Sequence, residues 1–168
     1  GVELPHDGRS SGLLLVKGPW IASQYYRGEG GSLLDAEGWL DTGDIATIDD
    51  DGYMQITDRS KDVIKSGGEW IGTIDLENLA MAHPAVLQAA CIGVFHPKWD
   101  ERPVLVVVLR PGMTVTRDAL LQFFEGKIAK WWTPDDVLFI DALPMGATGK
   151  IQKNKLRDQF KGHQLPGM

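Results

Sequence analysis

The chain has one cysteine, Cys91, among its 168 residues, so no intrachain disulfide can form. Cys91 stands in the apolar run Ala89-Ala90-Cys91-Ile92, where a small thiol is expected to be buried. A lone cysteine suits a reducing compartment, and a cytoplasmic location is expected. Excess positive charge is also lacking. Seventeen Lys and Arg against 23 Asp and Glu give a net charge of −6. That argues against non-specific nucleic-acid binding, which needs a basic face, while leaving room for a local cation to meet one phosphate. No run approaches the roughly 20 apolar residues of a membrane-spanning helix, and no signal peptide is expected. The opening Gly1-Val2-Glu3-Leu4-Pro5 lacks an initiating methionine and reads like the middle of a loop, so a chain cut from something longer is expected. There is neither an internal repeat nor a low-complexity tract.

What remains is an ordinary globular composition, 43% hydrophobic and 24% charged. Residues 1–58 read as short strands between glycine-rich turns. Leu13–Val16 and Ile45–Ile48 are strands, and Tyr53–Thr57 returns after the tight turn Asp49-Asp50-Asp51-Gly52. This part has few large apolar residues and would bury little surface alone. Beyond it the pattern changes to an α+β domain with a central sheet flanked by helices. Two short strands surround Ser66-Gly67-Gly68, and a helix over Thr73–Met81 starts on Thr73 as its cap and ends before Pro84. Val86–Val94 and the β-branched run Val104–Leu109 are strands, the second central. The spacing of Leu120, Leu121, Phe124 and Ile128 predicts one amphipathic helix over Thr116–Trp131. Strand Val137–Ile140 and helix Lys153–Phe160 complete the domain.

Four segments could carry chemistry. In Gly38-Trp39-Leu40-Asp41-Thr42-Gly43-Asp44, an ionised carboxylate after a glycine turn can accept from both hydroxyls of a diol such as ribose; a plain Asp turn fits as well. The cluster Thr57-Asp58-Arg59-Ser60-Lys61-Asp62 lies between the two compositional regions. It reads either as a solvated linker or as a hinge, with Arg59 reaching a nucleotide and Lys61 absorbing backbone rotation. The paired glycines of Lys65-Ser66-Gly67-Gly68-Glu69-Trp70-Ile71 permit close approach to a ligand or simply turn a hairpin. In Leu143-Pro144-Met145-Gly146-Ala147-Thr148-Gly149-Lys150-Ile151, Lys150 follows a flexible loop of small residues. From there it could reach developing negative charge on a carboxylate or phosphate. The segment is not a Walker loop, because the earlier glycine and the hydroxyl after the lysine are missing.

In this order and spacing the four segments resemble the closing motifs of the adenylate-forming superfamily, which includes acyl- and aryl-CoA synthetases, peptide-synthetase adenylation domains and firefly luciferase. The resemblance covers nearly the whole chain. Gly67-Gly68-Glu69-Trp70-Ile71 and Lys130-Trp131-Trp132-Thr133-Pro134-Asp135-Asp136 look most like bacterial medium- and long-chain fatty acyl-CoA ligases, and methylthio-alkanoate ligases look similar. Some positions depart from the family pattern. Met145-Gly146 stands where a basic or polar pair is common, and Gly72-Thr73 where Ser-Ser is common.

The resemblance implies a role for each matching residue. Asp44 would bind the ATP ribose, and Arg59 would contact the same ribose and phosphate region. Lys61 would be the hinge, and Gly67, Gly68, Glu69 and Trp70 would line the coenzyme A pantetheine tunnel. Lys150 would be the catalytic lysine, bridging the substrate carboxylate and the α-phosphate. Residues 1–58 would be the β-barrel tail of a large N-terminal adenylation domain, 59–62 the hinge, and 63–168 a mobile C-terminal domain. The implied reaction joins a carboxylate, expected to be a fatty acid, to AMP from ATP and then passes the acyl group to coenzyme A. Mg²⁺ would be ligated mainly outside this chain. The phosphate loop, adenine motif and acyl pocket of the family are not among these residues, so the N-terminal domain is expected in cis and the 168 residues alone are expected to be inactive. Two alternatives stay open: a stand-alone binding module of the same fold, and another adenylate-forming enzyme such as an acyl-AMP ligase.

Overall fold

A computed structural model describes residues 1–167. The chain divides between Lys61 and Asp62 into two compact units. The first is a three-stranded antiparallel sheet of β1 (Gly12–Val16), β2 (Leu40–Ile48) and β3 (Met54–Arg59), in the order β1-β2-β3. The turn between β2 and β3 forms because Asp49 Oδ1 accepts the N–H groups of Asp51 and Tyr53. Only Ile45, Ala46, Thr47 and Asp58 are buried in this unit, as its apolar-poor sequence requires.

The second unit is the expected α+β domain. Its strands are β4 (Ile64–Ser66), β5 (Glu69–Ile71), β6 (Val86–His96), β7 (Asp100–Leu109) and β8 (Asp136–Phe139). Their order is β5-β4-β7-β6, and β8 pairs parallel with β7 over Val104–Val107. One edge of β7 therefore runs against β6 along its length, while the other is divided between β4 and β8. Alternation along the strands sends side chains to opposite faces, and both faces are apolar. Cys91, Leu105 and Val107 pack under α1 (Thr73–Met81) and α2 (Arg117–Gln122), with Leu76 and Leu120 from the helices and Phe124 from the turn that follows α2. Ile92, Val104 and Val106 pack on the other face with Leu156 of α3 (Lys153–Gln159). Each such fully buried side chain contributes roughly 1.5–3 kcal/mol of transfer free energy.

Two expectations need correction. Thr73 is not the cap of α1. Gly72 occupies the cap position without a side-chain bond, and the buried Thr73 hydroxyl faces the Lys153 ammonium at 2.6 Å instead. Nor does a single helix run from 116 to 131. Thr116 does cap α2, accepting the Ala119 N–H at 3.2 Å, but the α-helix stops at Gln122. Phe124, Glu125 and Lys127 then bond to carbonyls three residues back. Gly126 turns left-handed at φ +72°, and a separate 3-10 turn covers Lys130–Trp132. Leu120 and Phe124 are still buried, so the apolar spacing marks the covered face but not the helix length.

The C-terminal tail is tied back at Asp136. Buried Asp136 accepts Arg117 Nε at 2.6 Å and the Val137 N–H at 2.8 Å, and its second oxygen meets His163 Nε2 at 2.8 Å. Burial alone would raise the Asp136 pKa, but Arg117, the Val137 N–H and His163 together hold it below the usual carboxylate value.

Candidate functional site

Asp44 is placed by an irregularity in β2. Leu13 of β1 faces Ile45, but Leu15 faces Asp41, so two steps on β1 span four on β2. The excess is taken up by a bulge with Gly43 at φ +72°, a conformation that glycine adopts without strain. Side chains lock it. Asp41 Oδ1 accepts the Gly43 N–H at 2.8 Å, and the Thr42 hydroxyl donates to the Leu14 carbonyl at 2.9 Å. A second shift between β2 and β3 sets Asp44 opposite Arg59, whose Nε lies 2.7 Å from Asp44 Oδ1. Asp44 is 16% exposed and Arg59 51%. The buried Oδ1 takes no aligned hydrogen bond among the described residues, so this contact pairs charges while leaving acceptor capacity unused.

The sequence around Lys61 is tethered on each side. The Ser60 N–H donates to the Gly43 carbonyl at 2.9 Å within the first unit, and Asp62 Oδ1 meets Arg157 Nη2 at 2.9 Å within the second. Lys61 is exposed between them, at the division of the two units.

Gly67, Gly68, Glu69 and Trp70 fall on one hairpin. The register pairs Ser66 with Glu69 and Lys65 with Trp70, leaving Gly67 and Gly68 as a two-residue turn with φ +61° and +89°. Two successive positive φ angles are what a tight turn matched to strand twist demands. Glu69 and Trp70 are exposed on β5.

Lys150 sits on a more constrained loop than its small residues suggest. The Gly146 N–H donates to the Lys150 carbonyl and the Gln152 N–H to the Pro144 carbonyl, both at 2.8 Å, while Met145 pairs with Ile151. This closed loop presents Lys150 to solvent directly before α3. Lys153, one turn on, is partly buried against α1, with Nζ 2.6 Å from Glu77 Oε1; the same oxygen accepts the Cys91 N–H at 2.7 Å. Asp44 and Arg59 are thus together in the first unit, the four hairpin residues together in the second, and Lys150 on a third element. Sequence reasoning missed Lys153 and Arg157. Their only signal was a basic residue recurring every three or four positions after Lys150, which also describes a solvated helix face.

Residues 75–150 match the AMP-binding enzyme C-terminal domain family. The chain is 58% identical over 96% of its length to the 3-methylmercaptopropionyl-CoA ligase of Ruegeria lacuscaerulensis, covering 30% of that protein. Residues 75–150 thus carry the C-terminal domain of the AMP-binding enzymes. It is also 49% identical over 95% of its length to the medium-chain-fatty-acid–CoA ligase of Ectopseudomonas oleovorans, of which it covers 29%. Among solved structures, ATP-bound MatB from Rhodopseudomonas palustris superposes with a TM-score of 0.85 at 35% identity, over 96% of this chain and 32% of that one. The chain therefore spans about 30% of the length of the curated relatives it matches. The AMP-binding C-terminal domain fold accounts for the mixed sheet and its two helix layers, and the family match runs from α1 to the Lys150 loop. Among the described residues no helix is long and apolar enough to cross a membrane.

Proposed function

We propose that the chain works as the C-terminal part of an ATP-dependent fatty acid–CoA ligase. The observation that supports this most is the 58% identity to a CoA ligase across 96% of the chain, with the lysine loop, hairpin turn and Asp44–Arg59 pair all present. In this reading residues 1–58 belong to the β-barrel tail of the adenylating domain, 59–62 form the hinge, and 63–168 move as the C-terminal domain in the cytoplasm.

The chemistry has two steps. A carboxylate oxygen bonds to the α-phosphorus of ATP and pyrophosphate leaves. The coenzyme A sulfur then bonds to the acyl carbon, its proton is lost, and AMP leaves. The first step brings anion to anion, so the Lys150 ammonium would stand between carboxylate and α-phosphate and offset their repulsion. Asp44, an acceptor-only carboxylate that is 16% exposed, suits the ribose hydroxyls, and Arg59 beside it suits the ribose and phosphate region. The exposed backbone at Gly67-Gly68, with Glu69 and Trp70 following, suits a narrow pantetheine arm. Mg²⁺, which needs only one or two carboxylates beside the ATP phosphates, would be ligated mainly outside this chain. Rotation at Lys61 would withdraw Lys150 after the first step and bring up the hairpin for the second.

The test is ATP–pyrophosphate exchange with a panel of fatty acids in the full-length ligase. Lys150→Ala should lower exchange by roughly 10²–10³-fold while sparing thioester formation from supplied acyl-AMP. Equal loss of both half-reactions would remove the role given to Lys150. The 168 residues alone should show no exchange. A second reading, a methylthio-alkanoate substrate, is favoured by the 58% identity to a 3-methylmercaptopropionyl-CoA ligase and is decided by adding 3-methylmercaptopropionate to the same panel.

A further inference from the structure

Four consecutive residues, Trp99 to Arg102, close around the base of the Gly67-Gly68 turn. The Gly67 N–H donates to the Trp99 carbonyl at 2.8 Å, and a Cβ on Gly67 would meet the Trp99 ring at 2.9 Å. Asp100 pairs with Ser66 and holds φ +70°, a left-handed conformation that non-glycine residues keep only where their surroundings enforce it. Glu101 Oε2 accepts the Lys65 N–H at 3.0 Å.

Arg102 completes the set and reaches furthest. Its Nη1 donates to Ser66 Oγ at 3.1 Å and to the Trp131 carbonyl at 2.9 Å. Its Nη2 donates to the Thr133 carbonyl at 3.1 Å, and Nη2 and Nε share Asp135 Oδ1 at 2.7 and 2.9 Å. One planar group, 12% exposed, thus joins the last residue of β4 to the segment 131–135. Neutralising its charge needs Asp135 alone. The bonds to Ser66, Trp131 and Thr133 do something else: they fix two chain segments to a common plane, which the rigid fork of a guanidinium can do and an ammonium cannot.

The hairpin needs such an anchor. Its strands have three residues each, too few to hold a hairpin in one place by their own ladder. Its tip is exposed, and nothing lies within 4 Å of a Cβ built on Gly68. The tip's location is therefore set at its base, by Arg102 and its three neighbours.

We infer that Arg102 is a positioning residue for thioester formation: it holds the Gly67-Gly68 turn against the 131–135 segment where the pantetheine arm of coenzyme A passes. This rests on the proposed role of the turn. In the full-length ligase, adenylation is read by ATP–pyrophosphate exchange, and the second step by thioester formation from supplied acyl-AMP as coenzyme A is varied. Arg102→Lys keeps the charge but loses the fork. It should raise the KM for coenzyme A about tenfold and leave exchange within about twofold. Ser66→Ala removes one of the five bonds and leaves those to 131–135, so it should move the same KM in the same direction by less, whether or not Arg102→Lys folds. A general structural role predicts instead that both half-reactions fall together, and that outcome overturns the inference. Gly68→Val separates the two layers of reasoning. If it leaves the coenzyme A KM unchanged, the role of the turn fails and the inference with it. If it raises that KM while Ser66→Ala and Arg102→Lys do not, the turn keeps its role and Arg102 loses its own.

Discussion

Lys153→Met tests whether the network beneath the Lys150 loop holds the domain together. Lys153 and Glu77 are 12% and 13% exposed, with Nζ and Oε1 2.6 Å apart. Methionine nearly fills the lysine stem's volume, so the change removes charge and hydrogen bonds more than packing. Removing one partner of a largely buried pair takes the counter-charge from the other, at about 3–5 kcal/mol. Glu77 keeps the Cys91 N–H, so the lower end applies, about 3 kcal/mol. At 1.4 kcal/mol per factor of ten, that is an increase of about 10²-fold in opening of the domain. Native-state hydrogen exchange at the β6 amides, Cys91 among them, reads this opening without reference to the first unit. The double change Lys153→Met with Glu77→Gln should recover much of the loss, because it removes the uncompensated charge while an amide oxygen still accepts the Cys91 N–H. Exchange at β6 within twofold of the parent in the single variant would refute the reasoning, as would a double variant worse than the single.

Two further outcomes are expected. Asp136 is held below its usual pKa, so the stability it contributes is present above the unfolded value near 3.8 and is lost as pH falls through the lower folded value. Asp136→Asn should therefore destabilise the domain at neutral pH and flatten the acid limb of its stability curve; identical acid limbs in the two proteins would contradict this. Lys61→Pro fixes one backbone angle between the two tethers and should slow thioester formation more than adenylation in the full-length ligase, whereas equal slowing of both would argue against a hinge at that residue.

The strands, the hairpin turn and helices α1 and α3 were legible because each depends on local signals that nothing distant overrides. Alternation, paired glycines and the stop at Pro84 are of this kind. The 116–131 segment was misread because apolar spacing continues past the end of α2: Phe124 and Ile128 pack on the same core from turns rather than from a helix. Thr73 was misread because its hydroxyl serves Lys153, 80 residues away, and no local pattern announces that contact. The Lys150 loop read as flexible because glycine and alanine carry no sign of the backbone bonds that close it. In the candidate site the motif residues themselves were visible, but their supports were not. Arg102 occurs as an unremarked Glu-Arg-Pro, and its five hydrogen bonds go to Ser66 and to residues 131–135.

The central strand β7 is apolar on both faces, and its middle reads Val104-Leu105-Val106-Val107-Val108. Slid by one residue against β6, that stretch would exchange the two cores and still bury only aliphatic side chains. Hydrophobicity thus gives this strand a place in the sheet but no index along it. The index marks lie at its polar end. Pro103 has no N–H to give, yet its carbonyl receives the Asp135 N–H at 2.9 Å, and Arg102 can reach its acceptors from one position only. A change at that end therefore threatens alignment more than stability. Its signature would be a folded, protected domain whose sheet is populated in two registers.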